Sequence, residues 1–168
     1  MTPEQVIRML NLQPHPREGA FFLETYRSGE AVTADALPAR YKGSRAMSTA
    51  IYYMVKDDSR CHIHRLKSDE VWHFYLGDPL ELLLLDKGGS GRIVTLGVDL
   101  EAGIRPQLVV PAGTWQGARV QPGGKFSLVG TTVSPGFEYT DYEDGEQAKL
   151  VEGYPKFYDL ILALTRPT

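Results

Sequence analysis

From Thr49 onward the chain breaks into short β-branched and apolar runs, each closed by a cluster of turn-forming residues. This punctuation limits the folds open to it. The runs are Thr49–Val55, His62–His64, Val71–Leu76, Leu80–Leu85, Ile93–Leu96, Leu108–Val110, Trp115–Val120 and Phe126–Val133. Between them stand Lys56-Asp57-Asp58-Ser59, Gly77-Asp78-Pro79, Lys87-Gly88-Gly89-Ser90-Gly91 and Gln121-Pro122-Gly123-Gly124, which reverse the chain. Short strands at this spacing predict an all-β sandwich or barrel. Leu82 to Leu85 lack alternation, so their strand is expected to be covered on both faces. A barrel of about eight strands leaves few open edges and holds one small ligand in its mouth.

The flanks read differently. In Thr2-Pro3-Glu4-Gln5 a capping threonine precedes a first-turn proline and a residue able to reach back to the cap. Val6, Ile7 and Leu10 follow at helical spacing and predict a short docked helix. Gly19 to Tyr26 suits a strand with Phe22, Glu24 and Tyr26 on one side. Arg40 to Ser48 reads as a polar loop. Phe157, Leu160, Ile161 and Leu164 return to helical spacing after Pro155 and predict a closing helix. With 168 residues, 42% of them hydrophobic, the chain can fill one core, and residues 1–168 are expected to form a single domain.

Bulk charge narrows the partners. A formal net charge of −3 supplies no broad positive field for phosphates or anionic lipid, so neither nucleic acid nor membrane is an expected partner. The single cysteine, Cys61, has no internal partner and suits a reducing compartment as an inert buried thiol. No basic stretch with an apolar run opens the sequence, and no apolar run approaches about 20 residues, so a cytoplasmic protein is expected.

Cys61-His62-Ile63-His64 carries two histidines at strand spacing, which alternation puts on one face. Across the turn Arg65 to Asp69, Glu70 opens the next strand, where its carboxylate can approach the pair. Two imidazoles and a carboxylate leave open positions on iron, manganese, nickel or zinc.

The spacing His62, His64, five residues, Glu70, six residues, Gly77 resembles the first signature of the cupin superfamily, with Lys56 where that signature has a glycine. The second signature is matched by Gly103, Pro111 and Gly113, with Gln116 at the fourth ligand position. Glutamine is a poor transition-metal ligand beside imidazole. The chain is similar, more narrowly, to a branch of unassigned function called the cupin-five family. That likeness is carried by Arg17-Glu18-Gly19, Glu24-Thr25-Tyr26-Arg27-Ser28, His64-Arg65-Leu66, Asp69-Glu70-Val71-Trp72-His73-Phe74-Tyr75, Val110-Pro111-Ala112-Gly113-Thr114-Trp115-Gln116 and Ser134-Pro135-Gly136-Phe137-Glu138-Tyr139. The resemblance implies a double-stranded β-helix, or jelly-roll barrel, with short terminal helices. It also implies a homodimer, and no established reaction.

The candidate pocket therefore comprises Glu18, Glu24, Tyr26, Arg27, His64, Glu70, Trp72, Gln116 and Tyr139. His62, His64, Glu70 and Gln116 form the candidate metal set, and His64, Glu70, His73 and Tyr75 are the candidate acid–base residues. Alternation puts Trp72 and Phe74 on the Glu70 face of their strand and His73 and Tyr75 on the other, with Phe74 read as core. Arg27 is read either as the binder of a ligand carboxylate or phosphate or as the partner of a neighbouring glutamate. Three functions follow. The first is binding of a small polar ligand in the barrel. The second is a metal-dependent enzyme of dioxygenase or isomerase type. The third is a metal-free site for a nucleotide or nucleotide-sugar, as in cupin-shaped epimerases, which pair a histidine base with a tyrosine acid. Here only His64 or His73 and Tyr75 or Tyr139 are placed for those roles.

Overall fold

A computed structural model describes residues 1–166. The strands are β1 (Gln13–Pro14), β2 (Phe21–Arg27), β3 (Ala31–Val32), β4 (Arg45–Ala46), β5 (Thr49–Lys56), β6 (Cys61–Leu66), β7 (Asp69–Gly77), β8 (Leu80–Leu85), β9 (Gly91–Leu96), β10 (Gln107–Val110), β11 (Trp115–Val120), β12 (Phe126–Ser134) and β13 (Tyr142–Asp144). The helices are α1 (Pro3–Leu10), α2 (Gln147–Gly153) and α3 (Tyr158–Leu164). Two sheets face each other as a jelly roll, ordered β1-β2-β5-β12-β7-β10 and β13-β6-β11-β8-β9; β3 and β4 form a separate ribbon. All eight expected runs are strands, and the turn clusters between them reverse the chain. No helix among the described residues is long and apolar enough to cross a membrane.

Each face of the sheets has its own cover. Leu80, Leu82 and Leu84 of β8 point inward with Val55, Trp72, Ala118 and Val129, forming the core between the sheets. Leu83 and Leu85 point outward against Leu150, Ile161 and Leu164 of α2 and α3, which accounts for the missing alternation. Burial of each such leucine is worth about 1.5–3 kcal/mol. At the other sheet, Val6, Ile7 and Leu10 of α1 cover Met54, Phe126 and Leu128. The expected capping box holds this helix: Gln5 N–H donates to Thr2 Oγ1 at 3.3 Å and Thr2 N–H donates to Gln5 Oε1 at 2.8 Å.

Three strands carry one residue more than the neighbour they pair with. In β2, Glu24 pairs with Ile51 but Tyr26 with Ala50, which leaves Thr25 as the extra residue. In β6, His64 pairs with Gln116 and Cys61 with Ala118, so three steps on β6 oppose two on β11. In β7 the extra residue is Tyr75, between Phe74 opposite Val129 and Leu76 opposite Leu128. Such bulges bend a strand and re-aim the side chains beyond them.

The region read as a polar loop contains β4 and a buried ion pair. Arg45 donates through Nε to Asp141 Oδ2 at 2.6 Å and through Nη2 to Oδ1 at 2.7 Å, with both side chains 3% exposed. The pair ties this segment to the chain that follows Tyr139. The closing helix is α3, preceded by a 3₁₀ turn at Pro155–Phe157; α2 and β13 have no counterpart in the sequence reading.

Gly117 is what lets the β6 bulge sit against β11, since a Cβ there would meet Ile63 Cγ1 at 2.7 Å and the Cys61 carbonyl oxygen at 3.2 Å. Gly117→Ala is expected to lower unfolding free energy by about 1–3 kcal/mol, the usual cost of overpacking, in chemical denaturation. An unchanged midpoint would mean the bulge is not tightly packed.

Candidate functional site

Between the sheets lies a cavity of about 110 Å³. Its walls come from β2, β5, β6, β7 and β12, from the turn before β2, and from the loop Phe137-Glu138-Tyr139 at its mouth. The bulges decide which side chains reach it. On β2, Phe22 and Glu24 face in; beyond the extra Thr25 the phase reverses, so Arg27 lines the cavity and Tyr26 is 54% exposed. On β6, Cys61 and His64 both face in, while Ile63 joins the outer core against α2 and α3.

The expectation that His62 and His64 share a face is thereby corrected. His62 does not line the cavity. Its ring lies over Gly19, where a Cβ would meet His62 Cε1 at 2.9 Å, and Gly19 is free of that Cβ at φ +79°. His62 still shapes the site through its backbone: the His64 Nδ1–H donates to the His62 carbonyl at 2.9 Å. A carbonyl can only accept, so this bond fixes the proton on Nδ1 and turns Nε2 toward Glu18 Oε1, 3.9 Å away.

Glu18 and Glu70 are both buried beside His64, in different settings. Glu18 has His15 Nε2 at 3.6 Å and accepts from the Cys61 thiol at 3.6 Å. Burial alone would raise its pKa, but His64 and His15 outweigh that and hold it below the usual range. Glu70 is pushed the other way, above the usual range, by burial and by the Glu18 charge, with His64 opposing. The Cys61 thiol is raised well up by burial and by Glu18, so it stays protonated. The Tyr53 hydroxyl lies among these groups, buried and without a hydrogen-bond partner among the described residues.

Gln116 does not line the cavity; it stands behind Glu70. Trp72 Nε1–H donates to Gln116 Oε1 at 2.9 Å, and Gln116 Nε2 donates to Glu70 Oε2 at 2.6 Å. Indole is a donor only, so this bond fixes the amide orientation and presents its NH₂ to the carboxylate. Arg27 meets both of its sequence readings: it lines the cavity and is held by Glu24 (3.1 and 2.9 Å) and Glu138 (3.0 Å).

Glu18, Glu24, Arg27, His64, Glu70, Trp72 and Tyr139 are thus brought to one cavity, and Tyr26, His62 and Gln116 are not. His73 and Tyr75 lie on the outer face of their sheet, as alternation predicts, which takes them away from the cavity. His73 bonds Thr132 and Gln107, and Tyr75 packs near Tyr52 and His73. Phe74 packs in the core. Sequence reasoning missed His15, Tyr53, Thr131 and Glu138 in the lining. Of these, His15 had the clearest signal, lying one turn before Glu18 in Pro14-His15-Pro16-Arg17-Glu18-Gly19. Its Nδ1 accepts from the Glu18 backbone N–H at 3.0 Å, which leaves its Nε2–H toward the Glu18 carboxylate.

A family model described as Cupin superfamily (DUF985) matches residues 4–144. The chain belongs to the cupin superfamily. Among its solved relatives are a hypothetical protein from Leishmania major, 34% identical with TM-score 0.87 over 99% of this chain and 100% of that one, and a protein from Shewanella oneidensis, 34% identical with TM-score 0.88 over 100% and 99%. An uncharacterized protein of Saccharomyces cerevisiae is 27% identical over 83% of this chain and 73% of that protein. Oxalate decarboxylase from Bacillus subtilis, described with Mn(II) centers, shares the fold at 12% identity and TM-score 0.53, over 92% of this cupin and 37% of that chain.

The metal set expected from the cupin signatures does not fit the residues of this cupin. His62 faces away, and Gln116 presents nitrogen donors to Glu70 while its oxygen is taken by Trp72. Glu18, Cys61 and His64 do have donor atoms within 4.8 Å of one another, a buried group other than the set the cupin signatures name.

The raised Glu70 carboxyl has a consequence for stability. It binds its proton more tightly in the folded chain, so stability falls as pH climbs from the ordinary value of 4.5 toward the folded-state value, and the loss is complete above it. Glu70→Gln lacks this loss. The melting temperature of the variant minus that of the wild type is therefore expected to grow with pH across that interval, as scanning calorimetry would read it. A flat or falling difference contradicts the assignment.

Proposed function

We propose that this cupin binds a small polar ligand in its barrel cavity and presents it to His64 between two carboxyl groups of opposite protonation. The observation that carries the reading is the convergence of Glu18, His64 and Glu70, all buried, on one cavity. Two carboxyl groups whose surroundings push their pKa values apart are the usual mark of an acid and a base. Glu18, held ionised, suits an acceptor or an orienting group. Glu70, biased toward its protonated form, suits a donor, and His64 Nε2 stands free to take or hold a proton on the ligand. The Trp72–Gln116–Glu70 relay would keep the Glu70 carboxyl in place, as hydrogen bonds behind a reacting group do.

The other readings have less support. A cavity of about 150 Å³ takes a molecule the size of benzene, so the smaller cavity here is short of room for a nucleotide or nucleotide-sugar. With Arg27 already held by two glutamates, no free cation awaits a phosphate there. The metal-dependent reading keeps one favourable observation, the Glu18, Cys61 and His64 group, against a signature set that is dispersed. Protein purified without chelator is expected to carry iron, manganese, nickel or zinc at below about a tenth of an equivalent per chain, as elemental analysis would read it. Stoichiometric metal lost in Cys61→Ser would reverse that preference.

Ligand binding is tested by thermal stabilisation across a panel of small cationic, neutral and anionic compounds. A ligand at a hundred times its Kd stabilises the folded chain by about 2.7 kcal/mol. At least one class is expected to do so in the wild type and to lose its effect in His64→Gln. A wild-type protein that responds to no compound of any charge overturns the reading.

A further inference from the structure

The charges on the cavity wall go further than its shape. Four carboxylates, Glu18, Glu24, Glu70 and Glu138, line it against one guanidinium, Arg27, and Arg27 is already shared between Glu24 and Glu138. Burial lowers the pKa of His15 and favours its neutral form. With His15 neutral, even a charged His64 and a protonated Glu70 leave three carboxylates against two cations in the lining. Among the described residues no lysine or arginine pairs with Glu18, whose ionic neighbours are two histidines. A buried carboxylate without a full cation to pair with is costly to keep.

A second observation points to the same missing group. Tyr53, only 1% exposed, lines this cavity, and its hydroxyl, set beside Glu18 and Cys61, has no hydrogen-bond partner at ordinary geometry among the described residues. An unmade bond by a buried polar group costs about 1–3 kcal/mol unless a ligand or water satisfies it. The same wall carries Phe22, Trp72, Phe137 and Tyr139, and aromatic rings attract cations.

We infer that the cavity takes a small organic cation, a primary ammonium compound of about six non-hydrogen atoms or fewer. The inference rests on the ligand-binding reading above and names the class of ligand. An ammonium group has three N–H donors and no acceptor. Glu18 and the Tyr53 hydroxyl each offer it an acceptor in the cavity lining, and the aromatic rings cover the alkyl part. A carboxylate or phosphate would instead meet like charges with no unshared guanidinium to hold it.

The test compares propylammonium and ethanolammonium with 1-propanol, propionate and inorganic phosphate at fixed neutral pH and ionic strength, by calorimetric titration and thermal shift on the whole chain. The ammonium compounds are expected to bind and to stabilise, and the anions to do neither. Glu18→Gln is expected to weaken ammonium binding by about ten- to a hundredfold, the usual worth of a charge-assisted hydrogen bond. Tyr53→Phe, which keeps the ring and removes the acceptor, is expected to weaken it several-fold, and it serves as well if Glu18→Gln fails to fold. Propanol, propionate or phosphate binding as tightly as the ammonium compounds overturns the cation inference while leaving ligand binding standing. So does ammonium binding that neither variant weakens. A chain that binds none of the five overturns the cation inference, and the wider panel then decides on ligand binding itself.

Discussion

A strand with one residue more than its neighbour must push that residue out of the ladder, and every side chain beyond it changes face. In β2 and β6 this constraint decides the chemistry of the cavity. Were Thr25 paired in regular alternation instead of bulged out, Arg27 would point to solvent and Tyr26 inward. Cys61 and His64 are three residues apart, so in a regular strand without the bulge those two side chains could not both face the interior. Gly19 and Gly117 give the room this needs, one beneath the His62 ring and the other beneath Ile63.

On that frame the polar groups sort into two layers. Glu18, His64 and Glu70 stand at the cavity, and the groups that orient them stand behind: the His62 carbonyl for His64, the Gln116 amide for Glu70, and the His15 ring for Glu18. Two of these orienting groups have side-chain bonds that fix them in turn, from Trp72 to Gln116 and from backbone N–H groups to His15. The arrangement holds two carboxyl groups and an imidazole close together in a low-dielectric interior, where their mutual fields are strong. The loop at the mouth runs directly into the buried Arg45–Asp141 pair, so the entrance is anchored from behind as well.

The fold was legible because its signals are local. Turn clusters mark the ends of β5 to β12, the Leu82 to Leu85 run announces a strand covered twice, and Thr2 with Gln5 announces the cap of α1. The site was legible in part. Glu70, Trp72 and Phe74 precede the bulge of β7, so period-two alternation assigned their face and that of His73 correctly. It failed for His62 and Tyr26 because a bulge is a relation between two strands, and the strand's own residues do not declare it. Gln116 was found through a signature that names it as a ligand, whereas its indole partner gives it a supporting role. His15 is announced only by lying one turn before Glu18, and Tyr53, Thr131 and Glu138 carry no local pattern; the closing of the barrel makes them neighbours. Arg45 and Asp141, far apart in the chain, were invisible for the same reason.

The bulge in β6 also sets what kinds of sequence change the cavity can absorb. His64 is steered by the backbone of residue 62, which every amino acid possesses, so the side chain at that position is free to vary without disturbing the imidazole. Strand length is not free in this way. Deleting a single residue between Cys61 and His64 would restore regular pairing with β11 and remove the bulge that sets the His62 carbonyl against the imidazole, a change that no exchange of side chains could repair. Variation in this segment should therefore be read by counting residues before comparing their identities.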